Sequence, residues 1–189
     1  STGPFNALQQ HPTRARNPNR AGTARPQRRS RRPGRSPELA PRRPALMSIA
    51  PSGSPALDRM VERLASTSDP RRRYEYVLWL AKKLEPLPEE FRNDAFKVKG
   101  CVSQVFVVAE LVDGALHWHG DSDAAITKGL LALLIEGLEG LTPQQATAID
   151  PAFIAATGLQ ASLTPSRANG FLNILRLMQA QAQSLAATP

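Results

Sequence analysis

One cysteine, Cys101, sits in the run Lys99-Gly100-Cys101-Val102-Ser103-Gln104-Val105 of this 189-residue chain. The glycine before it and the alternating run after it place the thiol at a bend ahead of a strand. A single thiol forms no internal disulfide and supplies no second redox cysteine. It also falls short of the roughly four cysteines that hold an iron–sulfur cluster. Chemistry at Cys101 therefore needs a thiol or a sulfur atom brought by another molecule. The plainer reading is that Cys101 is a small core hydrophobe.

An unperturbed thiol, with a pKa near 8.5, is only a few per cent ionised at neutral pH. A nearby cation would raise that fraction, and Lys97, Lys99 and Arg167 are the candidates. Asp121 and Asp123 read as caps for the following helix rather than as acid–base groups. Arg167 is placed to lie against one of them and brace the last helix. His117 and His119 are two apart on a strand, so they share a side. No convincing third and fourth metal ligand lies near them, and they read as exposed or hydrogen-bonded histidines. A Cys–His hydrolase would need an oxyanion hole and a substrate pocket, of which the sequence gives no sign. No G-x-x-x-x-G-K-[ST] phosphate loop is present.

The elements around these residues follow from local signals. Ser54-Pro55 and Asp69-Pro70 each look like an N-cap followed by proline at the first helical position. Leu57, Met60, Val61 and Leu64 recur at helical spacing, as do Tyr74, Val77, Leu78, Ala81 and Leu84, with Lys82 and Lys83 in that second helix's last turn. Phe96 and Val98 then alternate with lysines. Val105 to Val112 read as a long strand, Asp113-Gly114 as a tight turn, and Leu116 and Trp118 as the return strand. The expectation is a small antiparallel sheet of about three strands. Its middle strand is apolar on both faces, so helices should cover both. Residues 126–138 are apolar nearly all round, which marks a buried central helix stopped at Gly140. Thr142-Pro143-Gln144-Gln145 resembles a capping box, Asp150-Pro151 opens a short helix, and Thr164-Pro165-Ser166-Arg167 leads the last long one. The order is helices, sheet, helices: an α+β domain without parallel βαβ units.

Residues 1–46 hold eleven arginines, no lysine and one acid, Glu38, a formal +10. The rest of the chain carries −2, so the high isoelectric point belongs to this segment. It has eight of the seventeen prolines and almost no large apolar residues. Residues 1–53 therefore read as a disordered tail. A transit peptide, a dispensable or mis-started leader ahead of Met47, and a nucleic-acid arm all remain open. Phe5 is alone, so base stacking has no support. The longest apolar stretch, Leu130–Ile135, is too short to span a bilayer. A lone cysteine fits a reducing compartment.

Four blocks stand in order: Tyr76-Val77-Leu78-Trp79-Leu80-Ala81-Lys82-Lys83-Leu84 with Pro88; Val98-Lys99-Gly100-Cys101-Val102-Ser103-Gln104-Val105; Gly120-Asp121-Ser122-Asp123-Ala124-Ala125-Ile126 with Lys128-Gly129-Leu130; and Leu163-Thr164-Pro165-Ser166-Arg167 with Gly170. Over about residues 56–183 the chain resembles the SufE family of sulfur acceptors in iron–sulfur cluster assembly. Val102 departs from the polar residue, such as Gln, that relatives often carry there.

The resemblance implies a SufE/IscU-like domain over 54–186, without the cysteine ligands of the IscU-type scaffold. It implies that Cys101 accepts persulfide sulfur from a SufS-like cysteine desulfurase, stimulates that enzyme and delivers the sulfur to a SufBCD-like scaffold complex. Lys99, Gly100, Ser103, Gln104, Asp121, Asp123 and Arg167 would support the site. Pyridoxal phosphate would belong to the desulfurase, with no cofactor or metal on this chain. The chain would be a stoichiometric carrier and not an enzyme. A loop that shelters Cys101 until docking would protect the persulfide. The expected location is bacterial cytoplasm, with a cyanobacterium as one source, or a plastid if residues 1–46 are a transit peptide. The runner-up is a non-catalytic protein binding nucleic acid or membrane through its basic tail.

Overall fold

The computed structural model describes residues 51–187, so the tail read above lies outside the described residues up to position 50. Helix α1 (Pro55–Ser66) starts where Ser54 accepts a hydrogen bond from the Leu57 amide at 3.2 Å. The same buried hydroxyl donates to the Gly137 carbonyl at 2.5 Å, tying the helix start to the centre of the fold. Leu57, Met60, Val61 and Leu64 form its buried stripe.

Helix α2 (Pro70–Ala81) begins at the Asp69 cap and buries Val77, Leu80 and Ala81. It ends before Lys82, so both lysines expected in its last turn follow the helix instead. Lys83 reaches across to Glu136 at 3.2 Å.

Strands β1 (Val105–Val112) and β2 (Ala115–Ser122) pair antiparallel, from Val105 opposite Ser122 to Val112 opposite Ala115. The turn residues Asp113 and Gly114 both have positive φ, as a two-residue type I′ hairpin requires. The sheet has these two strands. The segment read as a third contributes one bridge, Lys97 to Phe106, with Val98 and Val107 amides bonding across at 2.8 and 2.9 Å. A turn at Asn93–Phe96 precedes it and the Gly100 bend follows, leaving too few extended residues for a strand.

Helix α3 (Ala125–Leu138) is buried on nearly all sides and touches α1, α2 and β2. Short helices α4 (Pro143–Thr147), held by the Thr142–Gln145 capping box, and α5 (Phe153–Ala156) lead to the long helix α6 (Pro165–Ala186). Phe171, Ile174, Leu175, Met178 and Ala182 pack α6 inward, and the helix lies against α4, β1 and α3.

Helices cover only one face of the sheet. On the other, Phe106 and Val108 pack with Leu87, Phe91 and Phe96 in a separate small cluster. Pro86 and Pro88 keep that covering segment out of an α-helix, so its apolar side chains arrive from a loop and from the single 3-10 turn Glu89–Phe91. The fold is α+β, with a small antiparallel sheet set between N-terminal and C-terminal helices.

Candidate functional site

The loop from Gly100 to Gln104 crosses the N-terminal half of α6 and the start of α3. Gly100 turns at φ +76°, a conformation open to glycine without strain. The Asn173 side-chain amide donates to the Gly100 carbonyl at 3.2 Å. Cys101 follows, half-buried, with Sγ 3.7 Å from the Gly170 carbonyl oxygen. A Cβ at Gly170 would stand 3.4 Å from that sulfur, so α6 offers its bare backbone to the thiol.

The far side of the loop is fastened too. Ser103 Oγ lies 3.3 Å from Thr127 Oγ1 on α3. The Gln104 amide donates to Asp123 Oδ1 at 2.9 Å, and the Asp123 amide returns a bond to the Gln104 carbonyl at 3.2 Å. Between these anchors Val102 stands 89% exposed at the tip. Beside Cys101 a recess of about 20 Å³ is lined by Val102, Ser103, Thr127, Ser166, Arg167 and Gly170. That is room for little more than one water-sized group.

Burial pushes the Cys101 thiol above its ordinary pKa, and no positive charge offsets it. The expectation that Lys97, Lys99 or Arg167 would raise its ionised fraction is not met in this conformation. Lys97 and Lys99 line a separate cleft. Arg167 does line the recess, but it is exposed and water screens it.

Arg167 also does not pair with Asp121 or Asp123. Asp121 is buried and takes Lys128 Nζ at 2.8 Å, the Arg92 guanidinium and the Ser122 amide at 2.8 Å. Burial pushes this carboxyl up, but bonds from Lys128, Ser122 and Arg92 outweigh it and hold the carboxyl below its ordinary value. Neither aspartate caps α3. Its N-cap is Ala124, because Asp121 is engaged by the two cations and Asp123 by Gln104. Their work is to fix the end of β2 against the loop.

His117 Nδ1 lies 2.6 Å from Glu139 Oε1, and His119 Nε2 lies 4.0 Å from Glu110 Oε2. Each histidine thus faces its own glutamate. Among the described residues no group of three or more His, Cys, Asp or Glu is arranged to hold a metal ion. No helix of the described residues is long and apolar enough to cross a membrane.

Three residues of this neighbourhood carried no role in the sequence reading. Asn173 is three residues beyond Gly170, hence on the same face of α6, which is the one signal that marks it. Thr127 and Arg92 have no local signal, since their partners lie far along the chain.

Comparison with known proteins covers most of the folded part. The family model for SufE, described as an Fe-S metabolism associated domain, matches residues 58–182. An uncharacterised SufE-like protein of Synechocystis is 57% identical over 128 residues, covering 68% of this chain and 80% of that protein. A chloroplastic/mitochondrial SufE-like protein of Arabidopsis thaliana is 42% identical, over 69% of this chain and 36% of its own length. A protein of Plasmodium vivax named cysteine desulfuration protein SufE is 39% identical, over 64% of this chain and 50% of its own length. The chain therefore spans half or less of the latter two. A solution structure of a hypothetical protein from Thermus thermophilus superposes with TM-score 0.64 at 28% identity, covering 71% of this chain and 98% of that one. With a loop of this sequence at the meeting of β1, α3 and α6, and with matches of this extent, the chain belongs to the SufE family.

Proposed function

We propose that Cys101 receives the outer sulfur of a persulfide carried by a cysteine desulfurase, and passes it to a scaffold that builds iron–sulfur clusters. The observation that carries this reading is the placement of the only cysteine. It sits on a short loop fastened at both ends, beside a recess with space for one small group. The name of the Plasmodium relative, a cysteine desulfuration protein, supports the choice of donor.

The step is a thiol–persulfide exchange. Cys101 gives up its proton to solvent, and its thiolate attacks the outer sulfur of the donor. The donor's S–S bond breaks as the new one forms at Cys101, and the donor cysteine leaves as a thiolate. Nothing is oxidised or reduced overall. In the next step an acceptor thiol on the scaffold attacks the outer sulfur on Cys101, which leaves as thiolate. Pyridoxal phosphate serves the donor's own chemistry, and this chain acts as a stoichiometric carrier that stimulates the donor by emptying it.

In the free protein Cys101 is half-buried against α6, and that burial pushes its thiol pKa up. The burial protects a loaded sulfur from stray thiols and oxidants. Docking that moves the Val102 tip outward exposes Cys101 while the sulfur stays beside the recess that Arg167 lines. Exclusion of water around Arg167 then makes its charge felt by a thiolate or persulfide. Gly100 supplies the hinge, Ser103 and Gln104 the far anchor, and Asp121 and Asp123 hold the ground on which that anchor rests.

The test is to incubate the chain with a cysteine desulfurase, its pyridoxal phosphate and free cysteine, and to weigh the intact protein. Gain of one sulfur on wild type and none on Cys101→Ser is the expected result. Equal gain on both, or none on either with a desulfurase that loads other SufE proteins, overturns the reading.

A further inference from the structure

Beside the Cys101 loop, and sharing no lining residue with the recess, lies a cleft of about 560 Å³, lined by Asp94, Lys97, Lys99, Asn173, Arg176 and Leu177 among others. Lys97, Lys99 and Arg176 make no ion pair among the described residues. Asp94 is the one acid on the rim. The described residues hold thirteen basic and fifteen acidic side chains, a net −2. Of the ten cations outside the cleft, five (Arg71, Arg72, Lys83, Arg92 and Lys128) pair with an acid. Three unmatched cations gathered beside one loop form a positive face on an acidic domain.

We propose that this cleft is a docking surface for an acidic segment of the protein that donates sulfur. The inference rests on the acceptor reading and adds where the donor sits. A protein persulfide can reach Cys101 only if its surroundings come down on the residues flanking the loop, and Lys99 is two residues from the thiol. Val102, almost fully exposed at the tip, gives an apolar point of contact, and the cations supply a charged rim. Opposite charge on the donor steers encounter and fixes orientation, and like charge would exclude wrong partners. The lining residues include no aromatic, so a nucleic-acid strand would find phosphate contacts but nothing to stack on. Asn173 lines the same cleft while its amide holds the Gly100 carbonyl, so an occupant there meets the residue that fastens the loop.

The test compares the full chain with Lys97→Glu/Arg176→Glu. Both proteins carry the same residues 1–46, so the arginine-rich segment contributes equally to each. Binding to a cysteine desulfurase is measured between about 50 and about 300 mM salt, the range over which surface charges become screened. Wild type should weaken as salt rises. The double variant should bind on the order of ten-fold less tightly at low salt and depend less steeply on salt than wild type. Its melting temperature and its Cys101 alkylation rate in the absence of desulfurase should stay at the wild-type values. At saturating desulfurase the variant should still take up sulfur.

Wild-type affinity in the variant at low salt overturns the docking surface and leaves the acceptor reading standing. Salt-sensitive binding that weakens in the variant, with no sulfur ever reaching Cys101, leaves the surface standing and removes the acceptor reading. Loss of binding to a single-stranded oligonucleotide, with desulfurase affinity intact, gives the surface to nucleic acid and overturns the proposal.

Discussion

The Asn173 side chain donates a hydrogen bond to the carbonyl of Gly100, 3.2 Å away and immediately before Cys101. It comes from the third turn of α6, three residues beyond the Gly170 carbonyl that lies against the sulfur. The helix therefore holds the loop at two successive points. A hydrogen bond of this kind contributes about 1 kcal/mol net, which is a factor of about five in the population of an opened loop. Asn173→Ala should accordingly let iodoacetamide alkylate Cys101 about five-fold faster, counted by intact mass, with little change in melting temperature. An unchanged rate would mean that the loop is held elsewhere.

Alkylation also reports the charge state of the thiol. Burial disfavours the thiolate, so the rate plotted against pH should inflect above the ordinary thiol value of about 8.5 in the free chain. In urea the same measurement should inflect near the ordinary value. The sign for stability follows. Above the unfolded pKa the unfolded chain has shed a proton that the folded chain keeps, so stability falls as pH rises through this region. A folded-state inflection at or below the unfolded one would show that a cation reaches the sulfur after all.

Much of the framework was legible because its signals are local. Ser54-Pro55, Asp69-Pro70 and Thr164-Pro165 each announce a helix within two residues, and Asp113-Gly114 sets the hairpin register. The Gly100-Cys101 bend was equally plain. What could not be read was pairing between distant residues. Arg167 reads as bracing the last helix against Asp121 or Asp123, yet Arg92 and Lys128 hold the first carboxylate and the Gln104 amide bonds the second. Alternation at Phe96 and Val98 reads as a strand, but strand length depends on the neighbouring turns, and here they leave one bridge. Two-faced apolarity in β1 showed that both faces are covered. It could not say that one cover would be a loop and a single 3-10 turn carrying Leu87, Phe91 and Phe96.

Asp121 predicts an acid weakness. Its carboxyl sits below its ordinary pKa in the fold, against the pull of burial, because Lys128, the Ser122 amide and Arg92 all bond to it. The stabilisation is therefore complete above the unfolded value of about 3.9, and it is lost as pH falls through the lower folded value. Asp121→Ala should cost about 1–3 kcal/mol at neutral pH, because two partly buried cations lose their partner. Its unfolding free energy should also fall less steeply with acid than that of wild type. Parallel pH curves for the two proteins would show that the carboxylate contributes nothing to acid sensitivity.

The contact between α2 and α3 leads to a last prediction. Alanine is favoured over glycine inside a helix by about 1 kcal/mol, so Gly129→Ala in α3 would stabilise an isolated helix. In the fold the opposite must hold, because a Cβ at Gly129 would lie 2.1 Å from the Val77 carbonyl oxygen, which is backbone and cannot swing aside. The helices would have to separate, and overpacking of this kind costs about 1–3 kcal/mol or more beyond the propensity gain. Urea unfolding should show Gly129→Ala less stable than wild type. The shift should also reach the site, since Gly129 is two residues from Thr127, which lies against Ser103 at the far anchor of the Cys101 loop. Faster alkylation of Cys101 in this variant, under conditions where it remains folded, is the expected sign. A variant that is as stable as wild type, with Cys101 equally protected, would show that α2 and α3 do not pack this closely.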